Sequence, residues 1–190
     1  MELRMEADEG AMFKGFLRSA RSYVEFGSGG STVAAAALVQ GPVTTLDSSQ
    51  EWLSRVEAAC TAMPAAARPK LVFADIGPIG AWGTPVGESH RERWPDYAKC
   101  IWSVEGASQA DLFLVDGRFR VSCAVETLLR CRADAILLIH DFAHRTRYHV
   151  VRELAREVAT TRTLTAFIKR ADFNAERARQ IAQEHLFIAE

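Results

Sequence analysis

Tyr23-Val24-Glu25-Phe26-Gly27-Ser28-Gly29-Gly30-Ser31-Thr32, running straight into Val33-Ala34-Ala35-Ala36-Ala37-Leu38-Val39, is the stretch on which the fold turns. A short apolar strand ends in a glycine-rich turn, and a helix of small residues begins. Glycines permit a tight turn and let a ligand approach the backbone, while the helix start offers free N–H groups. A phosphate-binding P-loop would need a Lys after its second Gly, and none is present. The dinucleotide pattern G-x-G-x-x-G, begun at Gly27, would need Gly where Thr32 stands. Neither phosphate pattern is met.

Outward from this turn, short apolar runs alternate with segments of helical period. The expected strands are Tyr23–Phe26, Val43–Leu46, Leu71–Ala74, Leu112–Val115, Ala135–Ile139, Leu164–Ile168 and Leu186–Ala189. Several are apolar on consecutive residues, as in parallel strands buried on both faces. Between them Leu53, Val56, Cys60 and Met63 share a helical face, as do Val121, Val125 and Leu128, then Val151, Leu154 and Val158. The pattern predicts an α/β doubly wound, mostly parallel, seven-stranded sheet in a single domain over 1–190. An N-terminal helix within 1–21, carrying Phe13, Phe16, Leu17 and Ala20, is expected to pack across one end. The stretch 77–95 breaks the rhythm with repeated Gly and Pro, Trp82, Trp94, His90, Arg91 and Arg93. It follows the third strand, so it is expected as a lid at the carboxyl edge, where open α/β sheets bind ligands.

Composition narrows the partners. Of 190 residues, 48% are hydrophobic and 25% charged, with a formal net charge of −1. Such a balance gives no field that predicts nucleic-acid or membrane binding. No apolar run approaches the ~20 residues of a membrane span. Met1–Gly10 lacks the basic-then-apolar order of a secretory signal, so a cytoplasmic location is expected. Cys60, Cys100, Cys123 and Cys131 form no C-x-x-C pair and read as reduced thiols.

Acids stand at the ends of the expected strands. Asp47 lies twenty residues after Gly27, where dinucleotide folds place a ribose-binding acid; Asp47-Ser48-Ser49-Gln50 also reads as a helix cap closed by Gln50. Asp116 closes the fourth strand. Arg118 and Arg120 follow at the start of a helix, where cations oppose the macrodipole and need a partner. That partner is either Asp116 and Asp141, as a structural ion pair, or an anionic substrate. His140-Asp141 ends the fifth strand, and His140 has the near-neutral pKa of a general base.

Glu25-x-Gly27-x-Gly29 resembles motif I of class I S-adenosylmethionine (SAM) methyltransferases, with Ser31 where that family often has a third Gly. Three longer segments sharpen the likeness: Glu25–Thr32, Asp75-Ile76-Gly77-Pro78-Ile79-Gly80-Ala81-Trp82-Gly83-Thr84-Pro85, and Val115-Asp116-Gly117-Arg118-Phe119-Arg120-Val121-Ser122-Cys123. With His140-Asp141, they resemble a group of largely uncharacterised bacterial methyltransferase-like proteins over roughly Ser22 to Leu154. The resemblance implies SAM as cofactor, with Glu25, Gly27, Ser28 and Gly29 about its methionine part. It implies Asp47 on the ribose and Asp75 and Ile76 near the adenine. Asp116, His140 and Asp141 are then the expected catalytic residues, and Trp82, His90, Arg118 and Arg120 the expected acceptor contacts. In metal-dependent O-methyltransferases, acids after strands four and five hold a divalent cation. Only Asp116 and Asp141 are evident here, so no metal is expected.

The reading is a methyltransferase acting at O or N of a small molecule, with no nucleic acid, and with a homodimer left open. The alternatives are a non-catalytic methyltransferase-like binding module and a nicotinamide-dependent oxidoreductase. Signatures of exocyclic-amine DNA methylation and cytosine C5 attack are absent, as is the hydrolase elbow G-x-S-x-G.

Overall fold

A computed structural model describes residues 1–189. Seven strands form one sheet in the order β3-β2-β1-β4-β5-β7-β6. They are β1 (Tyr23–Phe26), β2 (Val43–Asp47), β3 (Lys70–Phe73), β4 (Leu112–Val115), β5 (Ile136–Ile139), β6 (Ala155–Thr160) and β7 (Thr165–Lys169). The pairs among β1 to β5 are parallel, and β7 runs antiparallel to both β5 and β6. A dinucleotide fold would order its strands 3-2-1-4-5-6. Here an antiparallel strand is wedged between the last two.

Strand alternation explains the layers. Tyr23, Leu112, Leu114 and Leu138 point to one face, against Phe13 and Leu17 of α1 (Ala7–Ser19) and Ala35 of α2 (Gly30–Leu38). Val24, Phe26, Phe113, Val115, Leu137 and Ile139 point to the other. There they meet α4 (Asp96–Lys99), α5 (Arg120–Arg130) and α6 (Ala175–His185). Both faces are covered, so consecutive apolar residues are buried in turn. α3 (Gln50–Cys60) joins the first layer beside α2 through Val56 and Cys60. Among the described residues no helix is long and apolar enough to cross a membrane.

Three expectations are corrected. The helix over Val151, Leu154 and Val158 is instead the end of a 3-10 turn, Thr146–Glu153, followed by β6. β6 is an edge strand that alternates Ala155 in, Arg156 out, and its polar alternate residues hide the period of two. The strand over Leu186–Ala189 is not formed: α6 runs to His185, and Phe187 and Ala189 pack against the core from the tail behind it. The apolar content there reflects partial packing against the core without sheet pairing, and Ile188 is exposed. The N-terminal helix lies on a sheet face rather than across an end, because Phe13 and Leu17 reach the inward residues of β1, β4 and β5.

The segment after β3 is built, not loose. Ile79 pairs with Pro85 in a small hairpin; Gly80 N–H donates to Thr84 O at 2.7 Å and Val86 N–H to Pro78 O at 2.9 Å. Trp82 sits at its tip with φ 60° and is 74% exposed. Trp94, by contrast, is buried against Phe119, with ring centroids 5.8 Å apart.

Candidate functional site at the carboxyl edge

The strand ends of β1, β2, β4 and β5 open into a cleft of about 840 Å³. Its left wall is the glycine turn. Gly27 has φ +96°, a conformation that L side chains rarely adopt, and a Cβ there would lie 2.5 Å from the Gly117 backbone. The turns after β1 and β4 therefore touch backbone to backbone.

Glu25 sits beneath this turn, fully buried. Thr32 Oγ1 donates to its Oε2 at 2.6 Å, and the Ser31 hydroxyl donates to Oε1. Burial outweighs these donors and pushes the carboxyl pKa up to about 8. Ser31, at the place of the expected third glycine, thus ties the turn to Glu25, which a glycine could not do.

Asp47 holds the turn from the other side. Its Oδ2 accepts from Ser28 N–H at 2.8 Å and from Ser28 Oγ at 3.0 Å, and its Oδ1 accepts from Ser49 N–H at 2.9 Å. Burial raises its pKa against those donors. The helix cap expected here belongs to Ser49, whose Oγ accepts from Trp52 N–H at 3.1 Å; no box closed by Gln50 forms. Trp52 Nε1 donates to Ser28 O at 2.5 Å, a further restraint on the same residue.

The right wall is ionic. Arg120, 4% exposed, donates from Nη1 to Asp141 Oδ2 at 3.0 Å and to His140 O at 2.6 Å. Its Nη2 lies 3.2 Å from Asp116 Oδ1 and donates to Asp116 O at 3.0 Å. Arg145 adds a second cation on Asp141 Oδ2 at 3.1 Å. His140 Nδ1 is 2.9 Å from Asp116 Oδ1, and its Nε2 lies 3.5 Å from Glu9 Oε2. Burial works to lower the His140 pKa, but the hydrogen bond and charge of Asp116, with Asp141 behind, win and raise it. Asp141 is held below the usual carboxylate range: Arg120, His140 and Arg145 together outweigh the cost of its burial.

The structure brings together Gly27, Ser28, Gly29, Asp47, Trp82, Asp116, Arg118, Arg120, His140 and Asp141 around the cleft. It leaves out four. Glu25 lies behind the turn, and Ile76 is in the core. Asp75 turns outward to Arg93 Nη1 at 2.8 Å. His90 packs its ring over Gly77, where a Cβ would meet the ring Cδ2 at 2.6 Å. Among the described residues no group of three or more His, Cys, Asp or Glu is arranged to hold a metal ion.

Sequence reading missed Ser48, Trp52, Tyr97, Arg145 and the segment Met1–Met5, all of which line the cleft. Arg145 could have been found from its spacing of four after Asp141. The N-terminal segment carried no such signal. It crosses the start of α2, where the Glu2 carbonyl would collide with any Cβ placed on Gly30, and Arg4 stacks 5.6 Å over the Trp82 ring. A smaller cavity of about 480 Å³ adjoins the cleft through Arg4, Met5, His140 and Asp141.

No protein-family model and no curated protein matches the chain. Solved structures do. A methyltransferase-like protein from Silicibacter pomeroyi is 33% identical over 98% of this chain and 97% of its own, with a TM-score of 0.88. An O-methyltransferase from Bacillus cereus, solved with S-adenosylhomocysteine (SAH), is 13% identical over 87% of this chain and 82% of its own, with a TM-score of 0.57. An SAH-bound methyltransferase from Podospora anserina is 15% identical over 87% and 80%, with a TM-score of 0.61. The last two share the fold.

Proposed function

We propose, from the premise that this chain belongs to the bacterial methyltransferase-like group of the class I methyltransferase superfamily, that it transfers a methyl group from SAM to an oxygen or nitrogen of a small molecule. The observation that carries the reading is the Gly27–Ser28–Asp47 cradle at the strand ends. Gly27, whose backbone has no room for a Cβ against Gly117, borders a carboxylate that is already oriented by three donors. The cleft volume falls within the range of small-ligand sites, about 300–1,000 Å³.

In this reading the backbone of Gly27 to Gly29 carries the amino-acid end of the cofactor. Asp47 Oδ1, which accepts from Ser49 N–H, takes a ribose hydroxyl with its remaining lone pair, and Glu25 acts only through the turn it anchors. SAM supplies an electrophilic methyl group, so the chain needs to align the acceptor, exclude water and receive one proton. Asp116 Oδ2 is the atom we assign to that proton, since Oδ1 is committed to His140 and Arg120. An acceptor O–H or N–H becomes strongly acidic as its heavy atom is alkylated, so a carboxylate suffices as base. His140, with carboxylates on two sides, serves as a protonated counter-ion that holds Asp116 in place. Trp82 at the hairpin tip and the Met1–Met5 segment, joined by the Arg4 stack, form the roof that excludes water.

The test is a thermal-shift panel of SAM, SAH, NAD and NADP, followed by radiolabelled methyl transfer to a small-molecule library. A rise in Tm with SAM and SAH only is expected. A rise with NAD or NADP instead, or with none of the four, overturns the assignment.

A further inference from the structure

Two arginines flank Phe119 at the entry to α5, and the structure treats them differently. Arg120 is buried and saturated by carboxylates and carbonyls. Arg118 lines the cleft, half-buried, and among the described residues it has no carboxylate partner. Its Nε is shut off from solvent and has no hydrogen-bond partner.

The acids of the right wall are already committed to other groups. Asp141 serves Arg120 and Arg145, Asp116 serves Arg120 and His140, and Glu9 faces His140 and the Thr163 N–H and hydroxyl. The Arg118 backbone is fixed as well. Its N–H donates to Tyr97 Oη at 3.3 Å, its carbonyl receives Cys123 Sγ, and its side-chain stem lies beside Gly83 of the hairpin. Burial first, then the neighbouring Arg120 charge, depress its pKa, and the opposing influence of Tyr97 and Tyr148 does not offset them. A half-buried guanidinium that lines a ligand cleft without a carboxylate partner is matched by a planar or tetrahedral oxyanion.

We propose that Arg118 is the anchor of an anion site in this cleft, taking a carboxylate or phosphate group of the bound ligand. The site itself rests on the geometry of Arg118; only the source of the anion rests on the methyltransferase reading. Two sources fit that chemistry: the amino-acid carboxylate of the cofactor, and an acidic group on the methyl acceptor.

The first arm needs no cofactor. Inorganic phosphate is titrated against sodium chloride at matched ionic strength while Tm is followed. The wild-type protein is expected to show a saturable rise, about 3–5 °C at ten times the dissociation constant. Arg118→Gln should show only the shallow, unsaturable rise common to excluded salts, and Arg118→Lys should recover part of the saturable phase. Arg156→Gln on the edge strand β6 is the control and should behave as wild type. No saturable phase in the wild-type protein, or an equal one in Arg118→Gln, overturns the proposal.

The second arm finds the source by calorimetry with SAH and with 5′-methylthioadenosine, which keeps the nucleoside and thioether but lacks the amino-acid carboxylate. If Arg118 holds the cofactor, Arg118→Gln weakens SAH by about 10- to 100-fold and leaves methylthioadenosine unchanged. If Arg118 holds the acceptor, SAH binds both proteins equally and the phosphate phase persists at saturating SAH. Failure of SAH to bind the wild-type protein would count against the methyltransferase reading, and the phosphate arm would still decide the anion site.

Discussion

The two walls of the cleft solve the same problem with different materials. On the left, the turn after β1 is fixed by hydroxyls and N–H groups gathered on two carboxyls, Glu25 and Asp47, each with a raised pKa. On the right, the ends of β4 and β5 are fixed by guanidinium groups meeting carboxylates, with Asp141 pushed the opposite way. The left wall uses short, directional donors that hold a backbone shape. The right wall uses charges that hold side chains in position and leave acid oxygens facing the cleft. A rigid backbone cradle suits the binding of a shared cofactor; a cluster of poised charges suits proton transfer.

The largest expected effect comes from the right wall. Arg120→Gln leaves Asp116 and Asp141 partly buried with their main partner gone, which should cost about 3 kcal/mol of stability and abolish methyl transfer. Urea unfolding measures the first and radiolabel transfer the second. A loss under about 1 kcal/mol would mean that the ions are solvated and that the contrast between the walls is overstated.

On the left, Asp47→Ser removes the acceptor of the Ser28 and Ser49 N–H groups while leaving the true cap, Ser49, in place. Hydrogen bonds to charged groups contribute about 1.5–3 kcal/mol, so SAH affinity should fall on the order of 10- to 100-fold, with a lower Tm as well. Weaker binding at an unmoved Tm would show that Asp47 acts on the ligand alone. A lowered Tm with unchanged binding would remove it from the cofactor site.

The third test separates the walls by pH. Glu25 has a folded pKa above its unfolded value, so its favourable contribution is complete below about pH 4.5 and declines as pH rises toward about 8. The expected slope is one proton, about 1.4 kcal/mol per pH unit. Glu25→Gln mimics the neutral acid and should flatten that slope in melts from about pH 5 to 8. An unchanged slope would mean that the buried carboxyl is ionised throughout.

The smallest effect should be that of His140→Gln. The His140 pKa is raised in the fold, so the stabilisation of the imidazolium is present below about pH 6.5 and lost as pH climbs through the higher folded value. The variant should lose about 1 kcal/mol near pH 6 and little near pH 9. The opposite trend would mark His140 as a neutral base rather than a counter-ion.

Much of this was legible in the sequence because acids fall at strand ends. Asp47, Asp116 and His140-Asp141 each close or adjoin an apolar run, and parallel strands deliver those ends to one edge. The same logic brought Asp75 to the edge but could not say which way it turned. Its partner Arg93 lies in the segment after β3, whose path depends on tertiary packing. Tyr97 and Met1–Met5 were invisible because contact across the fold leaves no local pattern. Val158, exposed on an edge strand, imitated a helical period only because three apolar residues happened to fall three and four apart.

Gly27 and Gly117 press their backbones together where the two walls meet. Neither turn can shift without displacing the other, so a ligand that tightens one turn also narrows the freedom of its neighbour. Occupants of the two sides are then expected to strengthen one another's hold. Thermodynamic linkage requires that the factor be the same in both directions, whichever ligand arrives first.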